Sequence, residues 1–225
     1  MKLKRPKESD MCEPGYHIVR TYQKTNSHGK TFLVERHLCK NPGKHGQILQ
    51  IENLLYLFWH SKEKFPDLNA IKGFPANSEI DPVIQFWMDC WRKQGLTFPD
   101  TDPLLIKALI AVESGFNPLA KTKVKGSSAF GLTQITDRAR RILSGSPNAD
   151  GYIELKPPFV WISKEDAADP VANIAAGTRR LFYKYLKIPS KADKNLENAI
   201  KNYHSWDKAG EDYAKKIEDL FKKSK

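Results

Sequence analysis

The chain has 225 residues, a hydrophobic content of 40% and a formal net charge of +11. This length suffices for one good core plus an appendage, and the hydrophobic content excludes an intrinsically disordered chain. No apolar run approaches the about 20 residues of a membrane span, and the basic N-terminus leads into no apolar stretch typical of a secretory signal peptide. The positive charge favours an anionic partner, although many of the lysines could simply solvate the surface. No nucleic-acid-binding motif is present, so we do not expect nucleic acid to be that partner.

Residues 1–45 differ in character from the rest of the chain and predict a basic tail followed by a β-hairpin. Two runs rich in β-branched and aromatic residues, 17–23 and 31–38, flank a turn-forming cluster at 24–30 that contains Gly29. A hairpin is marginal in water by itself, so it must pack on the rest of the protein or be held by a link between its ends. We expect this segment to be a small β-hairpin module for targeting or docking.

Cysteine and histidine side chains at the open ends of this hairpin leave three alternatives. Cys12 and Cys39 could form a disulfide if the protein works outside the cell. With His17 and His37 they could instead form a structural metal site, although their spacing matches no common zinc signature. The third alternative is free thiols and surface histidines.

Apolar residues at helical spacing predict a succession of helices after the hairpin. The expected helices cover residues 48–62, 82–94, 103–113, 137–144, 169–186, 195–204 and 208–223, and a loop with two prolines covers 64–78. In the second helix, Trp87 and Trp91 share an apolar face and Cys90 lies beside it, so all three are expected in the core.

The third helix carries the most informative side chain of the sequence. Asp102 is a good N-cap and Pro103 a good first helical residue, and apolar residues then recur up to Val112. Glu113 stands where the apolar run stops, and Gly115 is a probable breaker of the helix. A carboxyl group between a core and a loop opening has its pKa raised by desolvation, which suits it to hand a proton to a substrate.

Four motifs in the same order carry a resemblance to a known family. Glu113-Ser-Gly-Phe-Asn-Pro is followed about 18 residues later by Gly131-Leu-Thr-Gln-Ile, then by Asp169-Pro-Val-Ala-Asn-Ile-Ala-Ala-Gly and by Asn202-Tyr-His-Ser-Trp. Over about residues 79–218 the chain resembles the soluble lytic transglycosylase family of bacteria and phages. The resemblance implies a predominantly α, lysozyme-like α+β catalytic domain that cuts the glycan strands of peptidoglycan.

The resemblance also implies roles for five residues. Glu113 would be the catalytic residue, first as acid and then as base. Ser114 would bond near Glu113 or the substrate's acetamido group, and Gln134 would face the sugar. Gly131 would permit close backbone approach, and Tyr203 would reach the catalytic carboxyl or the substrate.

Each of these carried-over roles has a purely structural alternative. Ser114 could cap its helix, Gln134 could lie in a solvated turn, and Tyr203 could pack in the core. The chain also departs from the family pattern at Thr133, where Met is commonest, and at His204, where Asn is usual. His204 is therefore left out of the catalytic set.

The expected reaction is cleavage of the MurNAc–GlcNAc β-1,4 bond with formation of 1,6-anhydro-MurNAc ends, without metal or other cofactor. One alternative is a hydrolytic muramidase in which Asp137 activates water, since inverting glycosidases use a second carboxylate. Asp137 equally suits the first turn of a helix. The other alternative is a non-catalytic wall-binding or structural protein.

These expectations divide the chain into residues 1–45 as the tail and hairpin module, 46–78 as a helix and connecting loop, and 79–225 as the transglycosylase domain. The expected partners are peptidoglycan glycan strands, anionic polymers of the cell envelope and a delivery-system or immunity protein. Without a signal peptide, we expect a protein made in the cytoplasm that reaches the wall by phage lysis, virion entry or specialised secretion, with no transmembrane segment.

Overall fold

The computed structural model describes residues 2–19, 21–25, 29–35, 37–40, 48–96, 101–124 and 127–225. Its α-helices are α1 (Ile51–Trp59), α2 (Asp81–Lys93), α3 (Pro103–Ser114), α4 (Asp137–Leu143), α5 (Pro170–Leu186), α6 (Leu196–His204) and α7 (Lys208–Lys222). Its strands are β1 (Tyr16–Val19), β2 (Tyr22–Thr25), β3 (Thr31–Val34), β4 (His37–Lys40), β5 (Ile48–Leu49), β6 (Lys121–Val124), β7 (Ser127–Phe130), β8 (Ile135–Thr136) and β9 (Phe159–Val160).

The predicted helices are confirmed, and their start signals act as expected. Asp102 accepts a hydrogen bond from the backbone N–H of Leu104 at 3.0 Å, and Gly115 ends α3 with φ +59°. Asp169 caps α5 in the same way, by accepting from the N–H of Ala172. The first helix is shorter than the predicted 48–62, because Ile48 and Leu49 pair with β9 before α1 begins.

The N-terminal strands form two antiparallel pairs, β1 with β4 and β2 with β3, in the same register. Tyr16 lies opposite Lys40 in β1 and β4, and Thr25 lies opposite Thr31 in β2 and β3. Residues 26–28 of the predicted turn cluster lie outside the described residues, as do residues 41–47 after the last strand of this segment. The use of residues 1–45 as a targeting or docking module stays a prediction.

The base of this hairpin is bonded to helix α1. The fully buried Asn53 donates from Nδ2 to the carbonyl oxygens of Cys12, Glu13 and Tyr16, at 3.1, 2.9 and 2.9 Å. Met11 is buried in the common core. The N-terminal segment is therefore part of the packing around α1, because a buried amide and a core side chain depend on it.

The cysteines at the hairpin base are free thiols, and the metal alternative is not supported. Cys12 is buried beside Asn53, whose Nδ2 lies 3.3 Å from its Sγ, while Cys39 lies opposite His17 in the strand register. Among the described residues, which include His37, no group of three or more His, Cys, Asp or Glu side chains could hold a metal ion. The Cys12 thiol is instead engaged by Asn53 and by the carbonyl oxygen of Tyr16, to which it donates at 3.4 Å.

Two small sheets were not predicted from the sequence. Residues 121–124 and 127–130, which show only a basic segment in the sequence, form β6 and β7, and β8 adds a third antiparallel strand. Lys121 and Lys123 are exposed on β6, and Lys125 lies outside the described residues. The parallel pair of β5 and β9 joins segments more than 100 residues apart, so no local pattern could predict it.

Helix α5 lies at the centre of the core, packed against α1, α2, α4 and α6, while α3 packs between α2 and α7. Trp87 and Trp91 are buried as predicted, and the indole N–H of Trp91 donates to Thr178 Oγ1 on α5 at 3.0 Å. Cys90 is only half-buried, at the edge of this core. The packing brings the end of α3 against α7, where the candidate site lies.

A buried ion pair fixes the connecting loop to this core. Lys107 Nζ on α3 lies 2.8 Å from Asp81 Oδ1 at the start of α2, and both side chains are almost completely buried. Asp81 also accepts from the N–H of Leu68 at 3.0 Å. Lys107 Nζ donates to the carbonyl oxygen of Leu68 at 3.4 Å, so both members of the ion pair are bonded to the loop 64–78.

None of the helices in the described part of the chain is long and apolar enough to cross a membrane.

Candidate active site

Glu113 is the next-to-last residue of α3 and is partly buried against α7. The hydroxyl of Tyr213, on α7, donates to Glu113 Oε1 at 2.5 Å. No cation lies within salt-bridge distance of Glu113 among the described residues, so its charge is not neutralised by a partner. The left-handed Gly115 turns the chain away directly after it, which opens a loop beside the carboxyl group.

Burial raises the pKa of Glu113 above its usual range. Two smaller effects act in the opposite direction, the hydrogen bond from Tyr213 and the positive charge of Arg180. Burial and the nearby Glu113 raise the pKa of the Tyr213 phenol well above its usual value, so Tyr213 stays a hydrogen-bond donor. The pair thus presents a carboxyl group that holds a proton to higher pH than an exposed glutamate does.

The phenol that bonds to Glu113 is that of Tyr213, whereas the resemblance had implied that Tyr203 would reach the catalytic carboxyl or the substrate. Tyr203 is 1% exposed, and its hydroxyl donates to the carbonyl oxygen of Thr133 at 2.8 Å. The guanidinium of Arg180 lies 4.0 Å from the centre of the Tyr203 ring and donates to the Tyr203 carbonyl at 2.8 Å. Tyr203 is thereby fixed to the loop 131–136, and its contact with the catalytic carboxyl or the substrate stays a prediction.

The loop 131–136 is fastened to α5 by one side-chain amide. Asn173, fully buried, accepts from the N–H of Thr133 at 2.8 Å and donates to the carbonyl oxygens of Phe130 and Ala167 at 3.1 and 2.8 Å. Gly131 has φ +73°, and a Cβ there would lie 2.1 Å from Asn173 Nδ2. The close backbone approach at Gly131 is therefore an approach to α5.

Gln134 is buried in the same loop, in the left-handed region with φ +47°. Its Nε2 donates to the carbonyl oxygens of Ala120 and Gly131 at 3.2 and 2.9 Å. Its Oε1 is buried and has no hydrogen-bond partner within the described residues. The side chain thus links both ends of the loop through Nε2, and its expected contact with the sugar stays a prediction.

One comparison with known proteins places the chain in a family. A family model described as the transglycosylase SLT domain matches residues 89–220. The chain belongs to the transglycosylase SLT domain family. A search of the curated proteins and a search of the solved structures each found no match. The match covers α3, the loop 131–136, α5, α6 and α7, the elements that carry or surround Glu113.

Membership of this SLT transglycosylase family makes the protein a peptidoglycan transglycosylase-type enzyme that acts on the cell wall. The α-rich fold with a few small sheets is compatible with a lysozyme-like SLT domain. The family match supports peptidoglycan cleavage in general, and the bond cut and the product formed depend on the geometry around Glu113.

Two further residues that were singled out in the sequence, Ser114 and Asp137, lie at the end of α3 and at the start of α4. Ser114 donates from Oγ to the carbonyl oxygen of Ile110 at 3.1 Å, a bond within α3. Asp137, at the start of α4, is bound to Arg140 at 2.5 Å and to Lys164 at 3.7 Å. The bond to Arg140 lowers the pKa of Asp137, which keeps it ionised.

Tyr213 and Arg180 are the site residues that the sequence reasoning missed. Tyr213 lies 100 residues from Glu113 in the chain, on the helix that was predicted over residues 208–223 without any site residue. The His204 ring lies 4.9 Å from the ring of Tyr213, so the unusual His204 supports the phenol that contacts Glu113. The available signal was the apolar face of α7, on which Tyr213 stands between Gly210 and Ile217, both buried.

Proposed function

We propose that the protein is a lytic transglycosylase that cleaves the MurNAc–GlcNAc β-1,4 bond of peptidoglycan and leaves 1,6-anhydro-MurNAc ends. The observation that carries the proposal is a single carboxyl group, Glu113, with a raised pKa, one phenol donor and no paired cation among the described residues. Such a group is protonated near neutral pH more often than an exposed glutamate, as a general acid must be.

In the proposed reaction, Glu113 gives its proton to the glycosidic oxygen as the bond to C1 of MurNAc breaks. The ionised Glu113 then takes the proton from the C6 hydroxyl of the same sugar as that oxygen attacks C1. The carboxyl group returns to its starting state, and no water enters the products. Attack within one sugar has the large effective concentration of an intramolecular reaction, so a second protein carboxylate is not needed.

The surroundings of Asp137 favour this route over hydrolysis. A water-activating carboxylate must accept a proton, but Asp137 is held by Arg140 and Lys164 and its pKa is lowered. Besides burial, the groups that shift the pKa of Glu113 are the hydroxyl of Tyr213 and the positive charge of Arg180, with no carboxylate among them. Both facts support a mechanism with one catalytic carboxyl group.

The other residues of the site are proposed to position Glu113 and the glycan. Tyr213 orients the carboxyl group through its hydrogen bond. Tyr203, Gly131 and Gln134 hold the loop 131–136 in place, and Ser114 keeps an oxygen next to Glu113 for the acetamido group.

Digestion of purified sacculi in water labelled with heavy oxygen tests the proposal. Transglycosylation predicts new muramic acid ends that are unlabelled and lighter by one water than reducing ends, as measured by mass spectrometry. Labelled reducing ends as the main product would make water the nucleophile and would support the hydrolase instead. Absence of any new ends with a folded protein would support the non-catalytic alternative.

A further inference from the structure

His204, the last residue of α6, is linked to helix α7 at two places. Its imidazole ring lies 4.9 Å from the ring of Tyr213, with an angle of 31° between the two planes. Its Nδ1 lies 3.0 Å from Ser205 Oγ, and that hydroxyl donates at 2.5 Å to Asp207, the N-cap of α7. One imidazole is thus linked both to the phenol that bonds to Glu113 and to the start of the helix that carries this phenol.

The corner between α6 and α7 is packed backbone against backbone. Gly210 in the first turn of α7 is buried, and a Cβ there would lie 1.9 Å from the carbonyl oxygen of Ser205. Lys201 on α6 also bonds to Glu211 on α7 at 2.7 Å. Because the two helices touch this closely, the packing of the corner fixes the distance between the His204 ring and α7.

The hydrogen bonds of His204 determine which of its nitrogens can titrate. A serine hydroxyl has one hydrogen, and Ser205 gives it to the carboxylate of Asp207. This bond lowers the pKa of Asp207, which keeps that carboxyl group ionised and able only to accept. Ser205 Oγ must therefore accept from His204, so that Nδ1 carries the imidazole hydrogen. Nε2 is left as the nitrogen that gains and loses a proton.

The His204 side chain is exposed, and charged groups face it from every element around it. On the side of α6 and α7, Lys201 is paired with Glu211, and Lys208 is paired with Asp212 at 2.7 Å. Lys184 is a second group that titrates near neutral pH, because burial lowers its pKa to about 8. The charged groups across the cavity between α4, α5 and α6 are Arg138, Arg180, Lys184, Lys187 and Glu154.

A proton on His204 Nε2 adds a positive charge beside the Tyr213–Glu113 bond. The positive charge of Arg180 already lowers the pKa of Glu113, and a nearby charge of the same sign acts in the same direction. Histidine is the side chain that ordinarily changes its charge between pH 5 and 8. Asparagine, which is usual at this position, carries no charge at any pH, so the effect belongs to this chain.

We propose that His204 is a positioning residue that holds the Tyr213 phenol against Glu113 and, when it gains a proton at Nε2, makes Glu113 release its own proton more easily. The inference rests on the proposed function and adds a response to pH to it. As the pH rises and Glu113 begins to ionise, His204 loses the charge that favours this ionisation. Two groups coupled in this way titrate over a wider pH range than one group alone, so activity declines more gradually with rising pH.

Nuclear magnetic resonance tests the coupling without turnover. Protein labelled with carbon-13 in its histidines is titrated from pH 5 to pH 8, and the His204 imidazole signal is assigned by its absence in His204→Asn. Coupling between two sites is reciprocal, so an ionised Glu113 must make His204 easier to protonate. We expect the midpoint of the His204 signal to fall by about half a pH unit in Glu113→Gln, a roughly threefold change in proton affinity.

The signal of His60, which follows α1 and bonds to Glu8, is the internal control and should be the same in both proteins. An unchanged His204 midpoint in Glu113→Gln would overturn the inference, whichever product the enzyme forms. An equal change at His60 would overturn it as well, because the effect would not be specific to the site.

The pH dependence of the cleavage rate tests the consequence for the reaction. His204→Asn is never charged, and His204→Arg is always charged and keeps a planar group beside Tyr213. We expect the basic limb of the pH–rate profile to lie about half a pH unit lower in His204→Arg than in His204→Asn. The wild type should fall between them with a shallower limb. Gln94→Arg adds the same charge at an exposed position after α2 and should leave the limb in place.

Three results would overturn the inference. Basic limbs at the same pH in His204→Asn and His204→Arg, with only a constant difference in rate, would reduce His204 to a packing residue. The same half-unit difference in a Tyr213→Phe background would show that the charge acts without the phenol. Loss of the difference in a Lys184→Gln background would assign the pH response to Lys184. We expect the difference to persist without Lys184 and to shrink without the Tyr213 hydroxyl.

Discussion

Helix α3 carries two buried charged groups, and the two are handled in opposite ways. At Lys107, in the middle of the helix, the charge is paired with Asp81 at 2.8 Å and excluded from solvent. At Glu113, near the end of the helix, the charge has the hydroxyl of Tyr213 as its partner, and no cation among the described residues pairs with it. The two sites lie six positions apart on one helix.

The difference separates a stabilising site from a reactive one. The pair at Lys107 neutralises both charges and binds the loop 64–78 through Leu68, so its role is to hold the fold together. Glu113 is partly buried without a counter-ion, which destabilises its charged form and raises its pKa. We expect substitutions at the first site to change stability and substitutions at the second to change rate.

The largest expected effect is on stability, from Lys107→Met. This change keeps the length of the side chain but leaves Asp81 buried without its cation, and breaking a buried pair costs about 3–5 kcal/mol. The free energy of unfolding, measured by urea denaturation, should fall by that amount. Lys93→Met, which breaks an exposed pair with Glu63, should cost less than about 1 kcal/mol. Equal losses in the two variants would contradict the comparison.

Glu113→Gln should lower the cleavage rate by at least about 100-fold, because it keeps the shape and removes the transferable proton. If this variant cleared sacculi at a near wild-type rate, Glu113 could not be the catalytic acid.

The same variant should be more stable than the wild type at neutral pH. The folded-state pKa of Glu113 is raised, so the wild type has its full stability below the ordinary carboxyl pKa and loses part of it as pH rises through the raised value. Glutamine does not titrate. The stability gain of the variant should therefore vanish in acid, which thermal unfolding at a series of pH values would show.

Tyr213→Phe should have a smaller effect on rate and a diagnostic effect on pH dependence. The lost hydrogen bond corresponds to roughly a two- to twelvefold fall in rate, from about 0.5–1.5 kcal/mol. The Tyr213 bond lowers the pKa of Glu113, so its removal should move the basic limb of the pH–rate profile to higher pH. Tyr56→Phe, which removes a Tyr–Glu bond far from the site, is the control and should leave that limb in place.

The smallest expected effect is that of Asp137→Asn. Because this carboxylate is partly exposed and serves an ion pair with Arg140, its loss should change the rate by less than about twofold and the stability by less than about 1 kcal/mol. A loss of activity comparable to that of Glu113→Gln would make Asp137 a second catalytic carboxylate and would favour hydrolysis.

The sequence predicted features that depend on neighbouring residues. The ends of α3 could be read from Asp102, Pro103 and Gly115, because caps and breakers act within one turn of a helix. The position of Glu113 at the end of an apolar face followed from the same spacing. The other helices were predicted within about three residues for the same reason.

Features that depend on distant residues were not predicted. Tyr213 reaches Glu113 across 100 residues because α3 packs against α7, and no local pattern records that packing. The bond of the Tyr203 hydroxyl to the carbonyl oxygen of Thr133 joins residues 70 positions apart and was likewise not predicted. The pairing of Lys107 with Asp81 was likewise invisible, since a lysine in an apolar run gives no sign of its partner.

The four-way bonding of Asn173 has a consequence for the motion of the loop 131–136. Its amide uses both donor hydrogens and its acceptor oxygen on the loop and on Ala167, so the loop is tied to α5 by a side chain. The N–H of Thr133 should therefore exchange with deuterium as slowly as amides inside α5, although it lies in a turn. Asn173→Asp would turn two donors into acceptors facing carbonyl oxygens, and that exchange should then become fast. A loop of this kind behaves as part of the rigid scaffold, and openings near Glu113 must come from elsewhere.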